Sequence, residues 1–148
     1  MDQDYIDSGN VLLLKGGMLT LIIALIVAWI MVFDRYFPIA FVDQAVKDFD
    51  PLIRGHIDFL IMSALLMGFY AARVVLPWHI VWAMFIGSFT NPSGFVIAGF
   101  FPAVVESQAF GLCVLVSFLI TSYGFGRGSV FVLKTLSARQ PVVAAETA

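Results

Sequence analysis

Arg54, His56 and Asp58 fall within five residues of one another at the head of the apolar run 57–75, which is where this chain concentrates groups that do chemistry. Titratable side chains are costly inside a bilayer and find a partner or a cavity when they occur there. From His56, steps of three and four residues pass through Phe59, Ser63, Met67 and Tyr70, one helix face that collects most of the polar atoms of this segment. Asp58 and Met62 share a neighbouring face. A neutral imidazole in this position has two uses: it bonds a carbonyl of the next helix or snorkels to the interface, or it ligates a haem iron. Arg54, just ahead of the apolar run, carries a guanidinium that pairs with a headgroup, a carboxylate or a propionate.

His79 lies 23 residues beyond His56, beside Trp78 and Trp82, and reads as an interfacial belt residue. That separation approaches the membrane thickness, so the two histidines do not share one iron within a subunit. A single histidine leaves an iron position open, as chemistry on a substrate oxygen requires.

A second polar patch is Ser88-Phe89-Thr90-Asn91-Pro92-Ser93-Gly94-Phe95. Pro92 removes a backbone donor within an apolar segment, and the Asn91 amide needs a partner there, either in a neighbouring helix or in a ligand pocket. Ser117, Thr121 and Gly124 make a small, polar face suited to helix packing.

The elements that position these groups follow from composition. Of 148 residues, 61% are hydrophobic and 12% charged, and the mean hydropathy is +0.97, values of an integral membrane protein rather than a soluble domain. Four runs, about 11–33, 57–75, 80–101 and 109–123, are long enough to span hydrocarbon as helices, and no alternating pattern points to a barrel. The expectation is an all-α, integral membrane four-helix bundle forming one domain over 1–148. Tight connections are expected at Leu76-Pro77-Trp78 and Pro102-Ala103, with one long loop from Asp34 to Arg54 and a mobile tail from Ser137 to Ala148.

The start of the chain is acidic and lacks a cleavage site, so the first helix is expected to be retained. Five basic residues (Lys15, Arg73, Arg127, Lys134, Arg139) fall on the side of the termini against three (Arg35, Lys47, Arg54) on the other, which places both termini in the cytoplasm. The setting expected is a multi-pass protein of a bacterial inner membrane. A net charge of -2 gives no case for nucleic acid, and the single cysteine, Cys113, reads as a small packing residue.

Arg54-Gly55-His56, the helix to Leu76-Pro77, Asn91 followed eleven residues later by Pro102, and Gly16-Gly17-Met18-Leu19 together resemble the styrene oxide isomerase and hydroxylaminobenzene mutase family of small four-helix membrane isomerases. The resemblance covers roughly Lys15 to Tyr123. It implies a homotrimer binding haem b between subunits, His56 as the metal ligand, and isomerisation of a small, hydrophobic aryl epoxide to an aldehyde. Arg54, or Lys47, would pair with propionates, and Asp58 resembles the acidic position of the mutases. The chain departs from the epoxide isomerases at two places: Met62 stands where they carry asparagine, and Phe95 where they carry a pocket tyrosine. Neither hydrogen-bonds an epoxide oxygen, which puts styrene oxide in question as the substrate more than it does the cofactor. Asn91 and Phe95 are then the expected catalytic pocket, with Tyr70 a candidate to supply the missing hydroxyl, while His56, Arg54, Asp58 and Met62 form the expected cofactor side. The competing readings are a haem-binding sensor or electron carrier, and an accessory subunit in which His56 and Asn91 only tie helices together.

Overall fold

The computed structural model describes residues 10–37 and 39–146, with side chains as far as residue 138, and among these every regular element is a helix. In chain order they are α1 (Val11–Arg35), α2 (Ala40–Ala45), α3 (Phe49–Ala71), α4 (Trp78–Phe100), α5 (Pro102–Val105) and α6 (Gln108–Glu146). Four of them, α1, α3, α4 and the Gln108–Ala138 part of α6, are long and apolar enough to cross a membrane. The chain is therefore all-helical with the architecture of a multi-pass membrane protein.

α3 begins eight residues before the apolar run that predicted it. Asp48 caps it by accepting the Asp50 N–H (3.2 Å), and Pro51 sits in the first turn, where a missing N–H costs nothing. The expected long loop from Asp34 to Arg54 is thus replaced by the short α2 and the first turns of α3, and Arg54 and His56 lie inside a helix rather than ahead of one. α3 stops after Ala71, where Arg73 adopts the left-handed conformation (φ 53°) that ends many helices. α4 ends at Phe100 because Phe101 precedes Pro102 and is driven out of the helical region (φ -131°, ψ 66°). Pro102 then opens α5, so the expected tight turn at Pro102-Ala103 is a short helix. α6 is 39 residues long, about 58 Å at 1.5 Å per residue, and outruns a hydrocarbon core of about 30 Å. Its backbone is helical into the segment expected as a mobile tail; residues 147–148 and the side chains beyond residue 138 lie outside the described residues.

α3 packs between α1 and α4, and α6 packs chiefly on the far side of α4. Gly16 and Gly17 bring α1 against α3: a Cβ on Gly17 would stand 2.8 Å from Met67 Cγ, and Ser63 Oγ donates to the Gly17 carbonyl (2.7 Å). Gly99 does the same for α4, where a Cβ would meet Leu52 Cγ at 2.7 Å, and its carbonyl accepts from the Lys47 and Asp48 N–H groups. At the other end, fully buried Asn10 closes the bundle by donating to the Val74 carbonyl (2.7 Å) and accepting from the Leu76 N–H (3.3 Å).

The α4–α6 contact depends on glycine most directly, because a Cβ on Gly124 would lie 2.6 Å from the Met84 amide nitrogen, a backbone atom that has nowhere to go. Gly124→Ala should therefore destabilise the protein by about 1–3 kcal/mol through forced separation of the helices. Gly68→Ala, whose Cβ meets nothing within 4 Å, should be neutral or stabilising by about 0.5–1 kcal/mol. Circular-dichroism melting in detergent should rank the Gly124 variant below, and the Gly68 variant level with or above, the parent protein.

Candidate functional site

Two residues along a helix is a turn of about 200°, so His56 and Asp58 leave α3 on different sides. His56 faces α1, with Nδ1 2.9 Å from the Ala24 carbonyl oxygen. A carbonyl only accepts, so Nδ1 is the donor in this bond, which in the neutral ring leaves the lone pair on Nε2. Ser63, two turns further along the same face, also bonds an α1 carbonyl. The polar face from His56 through Ser63 is therefore the seam between α3 and α1. Tyr70, at the far end of that face, packs against the core cluster of Leu66, Val74 and Ile80. Twelve residues of helix, about 18 Å, separate it from Asp58.

Asp58 faces α4 instead, where its carboxylate accepts a 2.7 Å hydrogen bond from Asn91 Nδ2. Gly55, one turn earlier, allows this approach: a Cβ there would fall 2.9 Å from Val96 and 3.3 Å from Phe95 Cβ. Met62, one turn beyond Asp58, is buried. Asn91 in turn lines a cleft of about 500 Å³ together with Arg54, Phe95, Gly94, Ala98 and Val114, with Asp48 and Glu106 also in its wall. The structure thus brings Arg54, Asn91 and Phe95 together in one cleft, sets Asp58 behind Asn91 as its hydrogen-bond partner, and leaves His56 and Tyr70 out of it.

Among the described residues no buried side-chain nitrogen or oxygen lacks a partner, and no three His, Cys, Asp or Glu side chains meet to cage a metal ion. That absence does not bear on a haem, which needs only one axial ligand from the chain. His79 is exposed, meeting the Trp78 ring edge-on and the Tyr123 ring at a tilt (6.2 and 6.3 Å between ring centroids). Cys113 is exposed rather than packed, a correction explained by the first turns of α6 parting from α4 and leaving a gap that Cys113 lines. Ser117, Thr121 and Gly124 form the α4 contact as their small size predicts: Ser117 Oγ lies 2.6 Å from Thr90 Oγ1, and Thr121 fits over Gly87. Sequence reasoning missed Asp48 and Glu106 in the cleft wall, although Glu106 is an isolated acid between two apolar runs and Asp48 is a helix cap.

The chain matches no protein-family model, no curated protein and no solved structure.

If Asp58 and Asn91 act as one unit, removing either partner leaves the other unsatisfied in an apolar setting, at about 1–3 kcal/mol. Asp58→Leu and Asn91→Leu should each lower stability in detergent, and the double variant should lose less than their sum by about 1 kcal/mol or more. Strict additivity in a denaturation cycle would show that the pair is not coupled.

Proposed function

We propose that this protein binds haem b with His56 as the axial ligand and isomerises a small, hydrophobic aryl epoxide to a carbonyl compound. The observation that carries the reading is the bond from His56 Nδ1 to the Ala24 carbonyl. It sets the tautomer that leaves Nε2 as a neutral donor and holds the ring in one orientation, the support that histidine ligands to metals ordinarily have. Exposed Ile53 and Leu60, one turn to either side of His56 on α3, supply apolar surface for a porphyrin. The residues present on this face therefore fit the group.

When bound, the haem supplies ferric iron as a Lewis acid for an epoxide oxygen. The chain's own contribution is the cleft. Phe95, Ala98 and Val114 offer apolar walls for an aryl body and keep away the water that would turn the epoxide into a diol. The Asn91 amide, oriented by Asp58, has a second N–H for an oxygen on which charge develops. Because His56 and the cleft lie on different sides of α3, a haem between subunits, as the family resemblance implies, is the arrangement that lets His56 of one copy work beside the cleft of another. On the five-to-three excess of basic residues we place both termini in the cytoplasm.

A second reading shares the same bond: with Ser63 donating to Gly17 nearby, His56 also suits a tie between α3 and α1 and nothing more. A visible spectrum separates the two. Protein purified from haem-replete cells should show a Soret band that His56→Ala abolishes without loss of helical circular dichroism and that His79→Ala retains. No Soret band in the parent protein would leave the helix tie, and haem without a carbonyl product from any of a panel of aryl epoxides would leave a sensor or electron carrier.

Phe95 gives the reading a gain-of-function test, since it lines the cleft with Asn91 and has no polar atom to offer. Phe95→Tyr should raise epoxide isomerisation by roughly ten- to a hundredfold, the worth of one hydrogen bond of about 1.5–3 kcal/mol to a charged oxygen made only in the transition state. Gas chromatography of the aldehyde product checks it, and an unchanged rate in a haem-loaded variant would place the reacting oxygen away from Phe95.

A further inference from the structure

α4 and α6 touch tightly at one end and part at the other. A Cβ on Gly87 would stand 2.6 Å from Thr121 Oγ1, and one on Gly124 2.6 Å from Met84 N. By contrast, a Cβ on Gly94, two turns along the same face of α4 from Gly87, would find Val114 no nearer than 3.6 Å. The pair is a wedge, closed around Gly87 and Gly124 and open toward Gln108. Pro92 sits in α4 where the wedge opens, and it lacks the N–H that would have bonded the Ser88 carbonyl.

Two cavities occupy the wedge. The inner one is the cleft at Arg54 and Asn91; the outer one, about 580 Å³, lies between Phe89 and Ser93 of α4 and Leu112, Cys113 and Val116 of α6. Gly94, Phe110 and Val114 belong to both. Leu112 and Val116 are exposed on a helix long and apolar enough to cross a membrane, so the outer cavity faces hydrocarbon. Its polar groups are already engaged: Thr90 and Ser117 bond each other, and Ser93 donates to the Phe89 carbonyl (2.6 Å). One end of the wedge is therefore apolar and open to lipid, the other carries an amide and a guanidinium, and the joint between them is a residue with no side chain.

We propose that the wedge is a single binding site loaded sideways from the bilayer. A neutral molecule of aryl size dissolved in the hydrocarbon passes the joint at Gly94 and comes to rest with its polar end at Asn91 and Arg54. The inference rests on the isomerase reading only for what happens to that molecule afterwards. A cavity of several hundred cubic ångströms suits such a ligand. Asp48 and Glu106 share the cleft wall with Arg54, which favours a neutral polar end over an acyl carboxylate, and a hydrated ion does not cross the outer cavity.

The test uses the full chain in phosphatidylcholine nanodiscs with trifluoromethyl phenyldiazirine, a small apolar photolabel, and ethylbenzene as an unreactive competitor. Mass spectrometry of peptides should find adducts at Cys113 and Val114 and, within the inner cleft, at Asn91 and Ala98. They should exceed those at Leu25 and Ile26 of α1, which are as exposed as Val116, and ethylbenzene should remove them. Gly94→Leu, which fills the joint, should keep the Cys113 adduct and lose those at Asn91 and Ala98. Phe110→Ala, which widens the joint, should raise the inner adducts, and it carries the test alone if the Gly94 variant does not fold. Labelling spread evenly over α1 and α6 without competition would mean bilayer contact only and would overturn the proposal, as would inner labelling indifferent to both variants. The readout needs neither haem nor turnover, so the isomerase reading fails separately, on the absence of a Soret band or of aldehyde.

Discussion

Lipid tails are as apolar as the side chains they touch, so burial alone gives the helices of this chain little reason to hold one another. What holds them is the close approach of backbones at small residues, and the fold depends on where those residues lie. Gly16 and Gly17 seat α1 on α3, Gly55 and Gly99 seat α4 on α3, and Gly87 and Gly124 seat α6 on α4. Each approach also brings helix carbonyls within reach of side-chain donors, which is how Ser63 and His56 come to bond α1. Where the glycine contacts loosen, at Gly94, the helices separate and the cavities appear. Packing and site thus have one cause.

The same geometry divides the polar groups of α3 between two neighbours. His56 and Asp58 are close in sequence, but one meets a backbone carbonyl of α1 and the other a side-chain amide of α4. A carboxylate at that depth is costly without a donor, and Asn91 supplies one. This leaves the Asn91 amide less free than its position beside Pro92 would suggest, because one of its two N–H groups is committed to Asp58.

The four long helices were legible in the sequence because hydrophobic length is a one-dimensional signal that requires no knowledge of partners. Their ends were less so. The start of α3 was hidden because Asp48, Phe49, Asp50 and Pro51 are not an apolar run, yet they form a capped first turn, which a search for hydrophobicity passes over and a search for caps would find. The importance of Arg54, His56, Asp58 and Asn91 was readable from their cost in a membrane. Their grouping was not, since the His56, Ser63, Tyr70 face looked like a site and is a helix seam for most of its length, whereas the cleft gathers Arg54 with residues nearly forty positions away. Periodicity shows which residues share a face; it does not show which neighbour that face meets. Asn10 makes the same point, because its side chain bonds the α3–α4 connection more than sixty positions away, which no local pattern shows.

The division of α3 also constrains any assembly in which His56 and the cleft cooperate. A two-fold contact presents the same patch from both partners, so it joins His56 to the cleft only if both belong to one patch. Here they do not: His56 lies on the α1 side of α3, while the cleft opens between α3, α4 and the start of α6. A contact that sets one copy's His56 against another's cleft is therefore head-to-tail, and such contacts close into rings when the rotation between copies allows it. A closed ring of three or more copies is the kind of assembly that the proposed haem site would require.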